Sequence, residues 1–84
     1  MTRTPIAFPD GQVLQRKTAA QFVQVANRFE ARIMIERKDK IVNAKSMLGL
    51  LSLGTGAGDM ILVVDGPQEE KVTETILEMV SKLF

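Results

Sequence analysis

The sequence predicts an α+β fold, a four-stranded sheet with helices packed on one face. Strand-like segments rich in β-branched residues interleave with segments of helical apolar spacing, in the order β-α-β-β-α-β-α. Two of the strand-like segments follow each other across a break of two polar residues, which is hairpin spacing. The chain has 84 residues, 45% of them hydrophobic and 25% charged, so residues 1–84 form one folded domain with a single small core.

Pro5-Ile6-Ala7-Phe8-Pro9 is a short extended run bracketed by prolines, which lack the N–H a central strand must donate, so it is an edge strand. Asp10-Gly11 turns the chain. From Thr18 to Phe29, Ala19, Phe22, Val23 and Ala26 mark one face of an amphipathic helix. Thr18 and Gln21 have capping-box spacing, which starts the helix there or a turn earlier. Arg32–Arg37 and Lys40–Asn43 make the hairpin around Lys38-Asp39, although the break lacks glycine. Ser46 opens a short helix running through Leu53, and Gly54, Gly56 and Gly58 crowd the loop behind it. Met60–Val64 is a buried strand with two apolar faces. Asp65-Gly66-Pro67 turns into a last helix with the stripe Val72, Ile76, Met79, Val80 and Leu83. Glu69 and Glu70 at its start and Lys82 near its end suit the helix dipole.

Composition excludes several kinds of chemistry. With no Cys there is no thiolate nucleophile, disulfide or cysteine zinc site; with no His the usual general base and commonest metal ligand are missing. A cofactor or metal enzyme is not expected. The net charge of +1 lacks the basic excess of a duplex-binding domain, so no direct nucleic-acid contact is expected either. Apolar runs such as Met47–Leu51 and Met60–Val64 fall far short of the ~20 residues of a membrane span, and no signal-peptide core follows Met1. The cytoplasm is the expected location. The spacing Gly54-x-Gly56-x-Gly58 lies between a helix and a strand with no Walker lysine, so it is not a phosphate-binding loop.

Two stretches carry a resemblance that extends over nearly the whole chain. Val42-Asn43-Ala44-Lys45-Ser46-Met47-Leu48-Gly49-Leu50-Leu51-Ser52-Leu53-Gly54 resembles the regulatory serine segment of Gram-positive HPr proteins, the small phosphocarriers of the bacterial sugar phosphotransferase system. Ala19-Ala20-Gln21-Phe22-Val23-Gln24-Val25-Ala26-Asn27-Arg28-Phe29 resembles their first helix. The resemblance implies an open-faced β-sandwich, a four-stranded antiparallel sheet with three helices on one face. Where HPr carriers read Leu-His-Ala-Arg-Pro, this chain reads Leu14-Gln15-Arg16-Lys17-Thr18. The phosphorylated His is therefore Gln15, whose amide nitrogen has its lone pair delocalised into the carbonyl and is no phosphoryl nucleophile. No catalytic residue is expected.

A Gln with an intact serine segment resembles the Crh branch of the family, implying phosphorylation of Ser46 by HPr kinase/phosphorylase and a corepressor role with a CcpA-type transcriptional regulator. Arg16-Lys17-Thr18 departs from the Ala-Arg-Pro usual in that branch, replacing a bidentate Arg fork by the point charge of Lys17.

From the residues alone, Ser46 before an apolar run reads as a helix N-cap, and the two roles are compatible. A phosphate there gains on the order of 1 kcal/mol from unpaired N–H groups and the helix dipole, with Lys45 and Lys17 as countercharge. Met47, Leu48 and Leu51 at helical spacing read as core. Yet a helix of under two turns that is apolar almost all round cannot bury every side chain. By resemblance Leu48 and Leu51 form a partner-docking patch that also draws on Met47, with Leu50 and Leu53 turned inward and Ala20 and Gln24 bordering it. Arg16 and Lys17 read as a solvated loop or as a contact for phosphate or an acidic partner. The alternative function is a divergent phosphotransferase component or competitor that binds Enzyme I or sugar permeases without phosphoryl transfer. Transfer through Thr18 is disfavoured because its phosphate would be a stable ester. A homodimer stays open.

Overall fold

The computed structural model describes residues 1–8, 16–53 and 58–83, with the side chains of Ala7, Phe8, Arg16, Thr18, Asp59 and Leu83 excepted. Gln15, the Asp10-Gly11 turn, Pro9, Gly54 and Gly56 lie outside the described residues. Seven elements follow in the expected order: β1 (Thr2–Phe8), α1 (Arg16–Ala26), β2 (Arg32–Arg37), β3 (Lys40–Asn43), α2 (Met47–Leu51), β4 (Gly58–Asp65) and α3 (Glu69–Leu83). The sheet order is β1-β4-β2-β3 with every neighbouring pair antiparallel, which makes the proline-bearing β1 an edge strand.

Register and alternation sort the side chains. Ile6 faces Met60, Ile33 faces Val64 and Ile35 faces Leu62, and all six are buried. Ala19, Phe22 and Ala26 of α1, Leu50 of α2 and Val72, Ile76 and Val80 of α3 close the core over this face. On the other face the Arg3–Glu36 ion pair, 3.0 Å, spans β4 from β1 to β2. Phe22 has no exposed surface. Phe22→Ala is expected to cost about 3–5 kcal/mol of a total near 5–15 kcal/mol, read as a lowered urea midpoint.

Local details differ from the sequence expectation at the helix ends. α1 starts at Arg16, so Thr18 is its third residue and not a capping-box N-cap. It stops at Ala26 instead of Phe29, because Arg28 and Phe29 donate to carbonyls three residues back, tightening the turn. The chain must turn there to bury Ala31, which packs so closely on Gly66 (φ 134°) that a Cβ on Gly66 would lie 3.0 Å from Ala31 Cα. α2 ends at Leu51 instead of Leu53, with Ser52 N–H donating to Leu48 O at 3.1 Å. The hairpin dispenses with glycine because Lys38 itself adopts φ 54°.

Glu69 anchors the edge strand. The N-terminal ammonium lies 3.0 Å from its Oε1 and 2.8 Å from its Oε2, and Thr2 Oγ1 meets Thr73 Oγ1 at 3.0 Å. The hydrogen bond from the ammonium holds the Glu69 carboxyl below the usual carboxylate range and raises the amine above its ordinary value. The sign follows for both groups: the contribution is present at neutral pH and fades as Glu69 is protonated in acid or the amine loses its proton in base.

Candidate functional site

Ser46 is set in place by the turn that leaves β3. Asn43 Oδ1 accepts the Lys45 N–H at 2.9 Å and Asn43 O accepts the Ser46 N–H at 3.0 Å, while Ala44 is buried and donates to Ile33 O at 2.9 Å. This fixes Ser46 in extended geometry (φ −110°, ψ 118°) immediately before α2. Its Oγ accepts the Gly49 N–H at 3.1 Å and its carbonyl accepts the Leu50 N–H at 3.0 Å. The N-cap expected from the sequence is present. The cap uses one lone pair of the hydroxyl oxygen, and the residue is half-buried and not sealed in the core.

The short helix presents two unlike faces. Leu50 is fully buried and Leu53 nearly so, whereas Leu48 is 81% and Leu51 37% exposed. Met47 is half-buried against the core. Leu48 thus leaves most of its apolar side chain in solvent, two residues after the capping serine. At the other end of α2, Arg37 Nη1 donates to Leu53 O at 2.7 Å and Lys40 Nζ to Ser52 O at 3.0 Å, satisfying carbonyls the helix leaves free. These two cations are absent from the residues expected at the site, because Leu53 O and Ser52 O become their neighbours only once the hairpin folds against α2. Asn43, bonded to Lys45 and Ser46 close by in the chain, carried a local Asx-turn signal that was missed.

The remaining expected site residues do not converge on one spot. The Lys45 ammonium lies 2.7 Å from Phe29 O, so it ties the Ser46 turn to the chain leaving α1. Lys17 is exposed in the first turn of α1, where Arg16 is the first residue. Ala20 is half-buried, and Gln24 is exposed in a groove of about 450 Å³ between α1 and α3, with Arg28, Met79 and Lys82 among its walls. Gln15 lies outside the described residues. Among the described residues, no group of three or more His, Cys, Asp or Glu could hold a metal ion, and no helix is long and apolar enough to cross a membrane.

This arrangement has known parallels. The family model described as the PTS HPr component phosphorylation site matches residues 6–82. The HPr-like protein Crh of Halalkalibacterium halodurans is 46% identical over 70 residues, 82% of this chain and 83% of that protein. The HPr-like protein Crh of Bacillus subtilis is 40% identical over 70 residues, 82% of each chain. Among solved structures, HPr-C-His from Thermoanaerobacter tengcongensis superposes with a TM-score of 0.89 at 32% identity, covering 96% of this chain and 92% of that one. A crystal structure of Bacillus subtilis Crh, described as a dimer with a swapping domain, superposes with a TM-score of 0.74 at 36% identity and covers 98% and 95%.

Proposed function

Since the chain belongs to the HPr family of the phosphotransferase system, we propose that it is a non-catalytic, Crh-like regulator of carbon catabolite control in the bacterial cytoplasm, switched by phosphorylation of Ser46. HPr kinase/phosphorylase is the modifying enzyme, and the phosphorylated form is a corepressor that docks on a CcpA-type regulator. The observation that carries this reading is the pairing of a capped, half-buried Ser46 with an open Leu48 in a chain that has no histidine. Phosphate adds about two negative charges at a helix start, which favours local order over unfolding. Leu48 and Leu51 supply apolar anchors, with half-buried Met47 on the same short helix, while Arg16, Lys17, Lys45, Ala20 and Gln24 are partner contacts spread beyond that patch. The Crh relatives described as dimers support self-association as a further property.

The direct test is labelling. HPr kinase/phosphorylase and ATP are expected to add one phosphate to the wild-type chain and none to Ser46→Ala, read by intact mass. Equal labelling of both chains would move the modified residue elsewhere.

A further inference from the structure

We infer that Gly49 determines whether Ser46 accepts a phosphoryl group, by leaving open the space the phosphate must enter. This rests on the assignment of Ser46 as the phosphorylated residue. Gly49 lies in the middle of α2, where glycine is the poorest choice apart from proline, and its φ is not positive, so the backbone does not call for glycine. What glycine provides is clearance. A Cβ at position 49 would stand 3.3 Å from Asn43 O, 3.4 Å from Ser46 Cβ and 3.4 Å from Ser46 Oγ. A methyl group there would press most tightly on the Asn43 carbonyl and would touch, in van der Waals contact, the hydroxyl oxygen that accepts the Gly49 N–H at 3.1 Å. Phosphorylation adds a phosphorus and three oxygens to that same hydroxyl oxygen, so room left beside it by the missing Cβ is room the phosphate can use.

The step itself balances simply. Ser46 Oγ attacks the terminal phosphorus of a nucleoside triphosphate held by the kinase, and an Oγ–P bond forms as the bridging P–O bond breaks. The diphosphate leaves with that electron pair, and the hydroxyl proton passes to a base on the kinase. A side chain at position 49 hinders both the approach of the phosphorus and the accommodation of the product. Gly49 is thus a positioning residue acting through Ser46.

Two measurements test this. Gly49→Ala is expected to be labelled by HPr kinase/phosphorylase and ATP at least tenfold more slowly than wild type while keeping a cooperative thermal transition. Ser52→Ala, which removes the hydroxyl bonded to Gly49 O at the far end of α2, is expected to be labelled at the wild-type rate. Equal rates for wild type and Gly49→Ala would overturn the inference. The second measurement needs no kinase: serine or phosphoserine is installed at position 46 by chemical ligation, each with Gly or Ala at 49, and the four melting midpoints are compared. The Gly49→Ala shift is expected to be several degrees more unfavourable in the phosphoserine chains, and an identical shift in both would refute the clearance role. If wild type takes no label yet the midpoints are non-additive, the Ser46 kinase assignment fails and the clearance at Gly49 stands.

Discussion

Leu48→Glu is expected to weaken binding of the Ser46-phosphorylated chain to a CcpA-type regulator by about 100-fold or more. Burying a leucine at an interface contributes roughly 1.5–3 kcal/mol, each 1.4 kcal/mol is a factor of ten, and an unpaired carboxylate in the same contact adds a desolvation penalty. The free protein should tolerate the change. Leu48 is 81% exposed and belongs to the first turn of α2, where an acidic side chain suits the helix start. Its melting midpoint should stay near wild type, since open surface substitutions are usually within about 0.5 kcal/mol. Leu50→Glu would instead fail to fold, because Leu50 has no exposed surface. A Leu48→Glu chain that binds as tightly as wild type would remove α2 from the docking surface.

Incubation with phosphoenolpyruvate and Enzyme I is expected to leave the wild-type chain unlabelled, while an HPr control acquires the acid-labile label of a phosphorylated imidazole. The chain has no histidine, and in the proposed reading Gln15 holds the position of the family's phosphorylated His. An amide nitrogen has no free lone pair to attack phosphorus, so the difference is one of presence against absence. Gln15→His should gain an acid-labile label, because the nucleophile is the missing group. Failure to gain it would assign the defect to Arg16, Lys17 and Thr18 as a lost Enzyme I contact. Acid-stable label that disappears in Thr18→Ala would instead make the chain a hydroxyl carrier.

Periodicity located the elements whose core positions follow it closely, with Ile33 and Ile35 alternating and Val72, Ile76 and Val80 recurring every four residues. β1 was found from its prolines and begins at Thr2, three residues before the run they bracket. The helix ends were less legible. Thr18 with Gln21 has the spacing of a capping box, yet the helix extends past it to Arg16. The far end of α1 is decided by contacts remote in sequence, Ala31 against Gly66 and Lys45 on Phe29 O. The same cause hid part of the site. Nothing local to Lys45 says that its ammonium reaches a carbonyl 16 residues earlier, nor that Arg37 and Lys40 reach the last carbonyls of α2. Gly49 did leave a signal, a glycine inside a helical run, but its meaning depends on the distance to Ser46 Oγ. Ser46 was readable as a local cap, and an over-apolar short helix says that some of its side chains face solvent. That these are Leu48 and Leu51 and not Leu50 and Leu53 came from the family resemblance.

The most direct test of a Ser46 switch is the affinity of a CcpA-type regulator for this chain before and after treatment with HPr kinase/phosphorylase and ATP, measured by titration at fixed ionic strength. Phosphorylation should tighten binding at least tenfold, in keeping with one or more new charge-assisted contacts, and Ser46→Ala should show no change on treatment. Equal affinity of the phosphorylated and unmodified chains would contradict the switch.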